Sequence, residues 1–290
     1  MFFMKPIALV GATGNIGRAS LEALAALGFT GPVRAASRRP QEAAGKLSRP
    51  GLDWHFFDFG QPDSFTPFLE GVEALFFIAP HKDPSPAALR LVSTAVQLGV
   101  KRLVYSSGRT TGDVPGRPMH RIEQAVRSFG LNWTVLRSGW FMQNFTGWLL
   151  PSIRRQRVIA LPAGKAKTAF VDVRDVGAVV ARVLTTAGHA GQTYELTGEE
   201  AFDHGEVAQG ISRACGLAVG YEDFSEADFR KLATSWGWSA DETEDTLFLY
   251  RLVREGKEDH PSPDTVDIIG KPARRLEDFF REYAELWKPN

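Results

Sequence analysis

Along its first 140 residues the chain keeps a regular beat. Short apolar runs without polar alternation take turns with stretches whose apolar residues recur every three or four positions. Unbroken runs of four to eight suit strands covered on both faces, and the longer spacing suits amphipathic helices. Strands are therefore predicted at 7–10 (IALV), 32–37 (PVRAAS), 52–59 (LDWHFFDF), 74–79 (ALFFIA), 102–106 (RLVYS) and 132–137 (NWTVLR). Helices are predicted at 18–27, 41–47, 62–69, 86–98 and 117–129, the last two closed by Gly99 and Gly130. Alternation of this kind requires right-handed crossovers and builds a parallel, doubly wound α/β sheet.

The beat then changes. Residues 139–157 are crowded with aromatic side chains, 169–173 (AFVDV) reads as one more strand, and 174–184 reads as a helix. From 192 onward the pattern predicts a strand, a helix, a short strand and helices at 226–235, 240–254 and 276–287, with a polar loop at 256–263. The expected division is a Rossmann-type domain at 1–150 with 168–187 returning to it. Residues 151–167 and 188–290 would form a smaller, mostly helical cap that binds substrate over the carboxyl ends of the strands, where open α/β sheets take ligands. No internal repeat is visible.

Composition narrows the function classes. A chain of 290 residues with 43% hydrophobic content suits one large α/β domain with a modest appendage. Basic and acidic residues number 34 each, so no net charge recruits nucleic acid or an anionic membrane. The single cysteine, Cys215, excludes an internal disulfide framework and a cysteine-rich metal site, and it agrees with a cytoplasmic location. The opening MFFMK is too short for a signal-peptide core, and no apolar stretch reaches membrane-spanning length. A monomer or homodimer acting on a small molecule is expected.

The most informative segment is IALVGATGNIG. Gly11 permits a sharp turn, Gly14 lets backbone approach a pyrophosphate, and Gly17 lets the following helix lie close to the sheet. The amides and dipole of that helix N-terminus then attract the anion. Dinucleotide sites for NAD place an acid at the end of the second strand. Here that position reads Ala35, Ala36, Ser37, Arg38, Arg39. Two guanidiniums match an adenosine 2′-phosphate, so NADP(H) is preferred over NAD(H). Asp58 and Phe59, after the third strand, border the adenine, although Asp58 would serve equally as a helix cap.

With GATGNIG, ASRR, FFIAP, VKRLVYSSG, GLNWTVLRSGWFMQNF and FVDVRDVGAVVARVL in order, nearly the whole chain resembles the NmrA-like group of atypical short-chain dehydrogenase/reductases. The likeness extends to its quinone-reductase-like and festuclavine-dehydrogenase-like members. The resemblance implies that Gly11, Thr13, Gly14, Asn15, Ile16 and Gly17 hold the pyrophosphate, with Ser37, Arg38 and Arg39 at the 2′-phosphate. It places Ile78, Ala79 and Pro80 along the ribose, and Ser106 and Ser107 beside the nicotinamide. His81, Trp140, Phe141, Asn144, Phe145 and Trp148 would border the substrate.

The superfamily's Tyr-x-x-x-Lys pair is missing from the helix after the fifth strand, which reads RPMHRIEQAVRSFG. His120 is the nearest substitute as a proton donor, since imidazole titrates in the useful range; the plainer alternative is a polar residue in a surface turn. Ketone reduction creates an alkoxide that demands an acid, whereas iminium and quinone reduction do not. The expected reaction is therefore hydride transfer from NADPH to an electron-poor, largely apolar acceptor: a quinone, an iminium or a conjugated carbonyl. Trp140, Phe141, Phe145 and Trp148 would form a flat pocket, or else ordinary core. The alternative function is an NADP(H)-sensing regulator of the NmrA type without turnover. Six scattered histidines show no metal-ligand spacing, and Ser106-Ser107-Gly108 lacks a nucleophile elbow.

Overall fold

Seven parallel strands form the main sheet, in the order β3-β2-β1-β4-β5-β6-β8. The computed structural model describes residues 5–80 and 84–289. Along the chain the elements are β1 (Ile7–Val10), α1 (Asn15–Ala26), β2 (Val33–Ser37), α2 (Pro40–Lys46), β3 (Leu52–Phe56), α3 (Phe65–Leu69), β4 (Ala74–Ile78), α4 (Pro84–Gln97), β5 (Arg102–Gly108), α5 (Pro118–Ser128) and β6 (Asn132–Ser138). After them come α6 (Leu150–Gln156), β7 (Val158–Leu161), α7 (Val173–Thr185), β8 (Gln192–Leu196), α8 (His204–Cys215), β9 (Gly220–Asp223), α9 (Glu226–Ser235), α10 (Ala240–Arg254), α11 (Asp264–Ile269) and α12 (Leu276–Glu282). The strand order reverses between β1 and β4, the switch point at which doubly wound sheets take ligands.

The described chain divides into two compact units. The first comprises the residues up to Ser138 together with Val173–Leu196 and Asp264–Lys271. Its sheet is buried on both faces, which is why its strands read as apolar runs. One face is covered by Phe65, Phe68, Leu91, Val92, Ile122 and Val126 of α3, α4 and α5. A Cβ at Gly177 of α7 would lie 2.5 Å from the carbonyl carbon of Ala19 and 2.7 Å from the nitrogen of Ser20, both on α1. Those two helices therefore pack backbone to backbone, and only glycine fits the crossing.

The second unit comprises Gly139–Asp172, Thr197–Pro263 and Pro272–Asn290. Its core gathers Phe145, Ile153, Ile159, Val207, Ile211, Phe229, Leu247, Tyr250, Phe279 and Trp287. A two-stranded parallel sheet joins β7 to β9. An Asp203–Glu206 capping box starts α8, and a Ser239–Glu242 box starts α10.

Three expectations differ from what is observed. The run 169–173 is fully buried but forms no strand: Val171 bridges Phe141 and Thr168 bridges Phe202, one residue at a time. Met142 N–H donates to Val171 O at 3.0 Å and Val171 N–H to Trp140 O at 2.9 Å, so 139–172 holds together as part of the second unit. Residues 192–196, grouped with the cap, instead form the seventh strand of the main sheet, pairing β6 from Thr134↔Gln192 to Ser138↔Leu196. The third predicted strand stops at Phe56 rather than residue 59, where Asp58 and Gly60 begin a turn.

Candidate functional site

The turn after β1 is built for an anion. Gly11 adopts φ +88°, a left-handed conformation that side chains resist. Gly14 N–H donates back to Gly11 O at 3.0 Å. A Cβ at Gly17 would collide with the Gly11 carbonyl oxygen and stand 2.5 Å from Ala12 Cα, so glycine is obligatory there. Among the described residues no side chain caps α1, and no acid stands in its first turn. Thr13, Gly14 and Asn15 are exposed and Ile16 half-buried. An uncapped helix N-terminus behind a glycine cradle fits a pyrophosphate.

Beside the cradle lies a cleft of about 610 Å³ lined by Thr13, Arg18, Glu22, Ser37, Arg38, Arg39, Glu42, Lys46 and Trp54, among others. Four cations thus face two carboxylates. Arg38 is exposed and makes no ion pair among the described residues. The Ser37 hydroxyl accepts from Arg39 N–H at 3.0 Å, which fixes the start of α2. Arg39 Nη1 lies 3.3 Å and Lys46 Nζ 2.7 Å from the Glu42 carboxylate. The Lys46 ammonium first, then the Arg39 guanidinium, hold the Glu42 carboxyl below its ordinary value. The chemistry of this donor set fits a phosphate monoester. Arg18, Glu42, Lys46 and Trp54 were not singled out from the sequence. The i, i+4 pair Glu42–Lys46 on a helix that opens at Arg39 was the available signal.

Farther along the sheet, Ile78 at the end of β4 packs against Gly11, whose Cβ position lies 3.0 Å from Ile78 Cδ1. Ala79 and Pro80 follow, half-buried; His81 lies outside the described residues. Asp58 Oδ1 accepts from Gly60 N–H at 2.9 Å, closing a turn, and Phe59 sets its ring edge against Phe57 at 5.1 Å and Phe65 at 6.1 Å.

At the ends of β5 and β6 the sequence concealed a buried ionic knot. Glu123 of α5 is 0% exposed. Its carboxylate accepts from Ser107 Oγ at 2.7 Å, from Arg137 Nε at 3.0 Å and Nη2 at 2.8 Å, and from Arg127 Nη2 at 3.0 Å. Arg137 Nη1 also reaches Asp113 at 2.6 Å. Gly112 lies directly on this pair: a Cβ there would strike Glu123 Oε1 and stand 2.8 Å from Arg137 Nε. Gly112 O in turn lies 2.9 Å from His120 Nδ1. A carbonyl only accepts, so Nδ1 carries the proton and Nε2 is the nitrogen left to exchange one. Ser106 is buried on the neighbouring position of β5. The Tyr105 ring stacks on Phe77 at 4.8 Å, and burial, with Glu123 nearby, raises its phenol above the ordinary value.

In the second unit the aromatic residues divide. Phe145 is 1% exposed and packs on Phe170 at 5.1 Å, while its carbonyl accepts from Trp287 Nε1 at 2.9 Å, so it is core. Trp140, Phe141, Asn144 and Trp148 are half-buried. Trp140 lies over Tyr250 at 4.7 Å, and Trp148 meets Trp236 at 5.8 Å and Trp238 at 5.4 Å. His204, enclosed by Phe145, Phe170, Tyr221 and Tyr250, has its pKa pushed down to about 4 by burial.

A parallel sheet with this strand order and a glycine cradle after β1 defines a Rossmann-type dinucleotide-binding fold. The NmrA-like family model matches residues 4–260. The chain is 32% identical over 289 residues to the (4-alkanoyl-5-oxo-2,5-dihydrofuran-3-yl)methyl phosphate reductase of Streptomyces griseus, covering 98% of this chain and 99% of that protein. It is 30% identical over 286 residues to the NAD(P)H azoreductase of Xenophilus azovorans, covering 96% and 98%. Its fold matches the NADPH-complexed quinone oxidoreductase QOR2 of Escherichia coli with a TM-score of 0.86 at 28% identity, over 95% of this chain and 99% of that one. The chain belongs to the NmrA-like family, and it is an oxidoreductase. Among the described residues no helix is long and apolar enough to cross a membrane.

Proposed function

We propose that the protein transfers hydride from NADPH, in preference to NADH, to an electron-poor, largely apolar acceptor of the quinone, iminium or conjugated-carbonyl type. The observation that carries this reading is the cationic cleft at the end of β2, where Arg38 stands beside the glycine cradle without a counter-ion among the described residues. Gly11, Thr13, Gly14, Asn15, Ile16 and Gly17 hold the pyrophosphate, and Ser37, Arg38 and Arg39 hold the 2′-phosphate. Ile78, Ala79 and Pro80 line the ribose, and Ser106 and Ser107, near the end of β5, border the nicotinamide. When bound, the coenzyme supplies the hydride. The chain's own task is to orient and desolvate the reactants.

Trp140, Phe141, Asn144 and Trp148 supply the acceptor contacts. His120 Nε2 is the proton-moving atom for acceptors that need one. With no Tyr-x-x-x-Lys pair, acceptors that form a stabilised anion or a neutral amine suit the chain best. We place the protein in the cytoplasm, as a monomer or homodimer.

The test is to mix purified protein with NADPH and a panel of quinones, imines and enones, and to follow nicotinamide absorbance. Turnover with at least one class is expected. Tight coenzyme binding without turnover on any acceptor would replace this reading with that of an NADP(H) sensor. Arg38→Ala is expected to weaken NADPH binding about ten- to a hundredfold, the worth of a charge-assisted phosphate contact, and to leave NADH nearly unchanged. Equal losses for both coenzymes would remove Arg38 from the 2′-phosphate.

A further inference from the structure

Of the two carboxylates in the cationic cleft, which a phosphate site does not call for, Glu42 is the one paired with its cations. Glu42 projects from the first turn of α2 into the same cleft as Arg38, and its two carboxylate oxygens occupy Arg39 Nη1 at 3.3 Å and Lys46 Nζ at 2.7 Å. A 2′-phosphate and this carboxylate compete for the same two donors, because both are anions with only acceptor oxygens. A ribose 2′-hydroxyl has the opposite need: it is a donor and calls for an acceptor. NAD-binding folds meet that need with a carboxylate near the end of the second strand. Here that strand ends at Ser37, Arg38 and Arg39 follow, and the acid stands a few residues on, at Glu42.

With the cleft taken as the adenosine-ribose site, an assignment that comes from the proposed function, we propose that Glu42 sets the choice between the two coenzymes. For NADPH it is a built-in competitor that must surrender Arg39 and Lys46 to the phosphate. For NADH it is the acceptor for the ribose hydroxyl. Both uses require a carboxylate that changes partners cheaply. The side chains of Arg39, Glu42 and Lys46 are 81%, 47% and 65% exposed, so water screens each pair and exchange is easy. The other charged groups lining the cleft are Arg18 and Glu22 on α1 and Arg38. The ion-pair partners of Glu42 are Arg39 and Lys46, both on its own helix or at its start.

The test is the pair of dissociation constants for NADPH and NADH, measured by calorimetry on the intact chain and on Glu42→Gln. Glutamine keeps the shape and the helix propensity but removes the charge. NADPH is expected to bind about two- to fivefold tighter in the variant and NADH weaker by a similar factor, in keeping with exposed ion pairs, so the ratio moves about tenfold. The gain for NADPH should shrink as salt is raised. Movement of both constants in one direction, or of neither, would overturn the proposal. Failure of the unmodified chain to bind either coenzyme would overturn the cleft assignment as well. That result appears before any substitution is made, so the two failures are distinguishable.

Discussion

Replacing Glu123 with leucine should cost the fold far more than removal of an exposed charge. The substitution keeps most of the side-chain volume, so the loss reports the charge rather than a cavity. It deletes the acceptor of four hydrogen bonds. Arg127 is half-buried and can turn toward water. Arg137 cannot: its side chain is 9% exposed, and only the Asp113 contact at 2.6 Å would remain. Stranding one member of a buried pair typically costs about 3–5 kcal/mol. At about 2–4 °C per kcal/mol for a chain of this size class, the melting point should fall by roughly 10 °C. Urea unfolding followed by tryptophan fluorescence measures the free energy directly. The double variant Glu123→Leu with Arg137→Met removes both charges and should recover more than half of the loss. A single-variant cost below about 1 kcal/mol, the range of exposed pairs, would refute the reasoning, as would a double variant that loses the sum of the singles.

Gly17→Ala forces a Cβ onto the Gly11 carbonyl, so coenzyme affinity should fall at least about tenfold with some loss of stability; calorimetry with unchanged affinity would contradict the cradle. His204 holds off its proton until about pH 4 in the fold, against 6.5 for the ordinary side chain. The unfolded chain therefore binds more protons in that window, and stability present above pH 6.5 drains away as pH falls toward 4, by up to about 3 kcal/mol. His204→Phe should remove that component from the difference between urea titrations at about pH 7 and about pH 4, and an identical pH slope in the two proteins would exclude it. His120→Ala should lower the rate with any acceptor that needs a proton, and an unchanged rate would remove His120 from the chemistry.

The parts of this molecule that were legible in the sequence are those whose cause is local. Gly11 and Gly17 announce themselves because turn geometry and close packing admit no other residue there. Buried parallel strands announce themselves because both faces must be apolar. The same logic misleads at 169–173, where an apolar run is equally buried yet pairs through single bridges. Periodicity reports burial and leaves the partner undetermined. Gln192–Leu196 carried a weak strand pattern and no sign that β6 still lacked a neighbour. Glu123 was harder still. On an amphipathic helix it looks like a solvated charge, and its partner Arg137 lies fourteen residues on, near the end of a buried strand. An arginine inside NWTVLR was the only hint that a carboxylate had to be waiting below the surface.

Two groups of ion pairs in the first unit show how environment assigns a role to the same chemistry. Arg137 donates two parallel hydrogen bonds to the fully buried Glu123, so separating them strands a charge in a poor dielectric. Such a pair cannot serve as a binding device, because no ligand offers enough to open it. What it can do is hold Ser107, Gly112 and, through the Gly112 carbonyl, His120 in one arrangement. Glu42, Arg39 and Lys46 use the same donors and acceptors in water, where pairing is worth little and is lost readily. In the proposed reading, that weakness is what lets a phosphate or a ribose hydroxyl enter. Fixed geometry thus falls at the ends of β5 and β6, where the proposed function puts the reacting atoms. Exchangeable contacts fall just after β2, where the proposed function puts the choice of coenzyme.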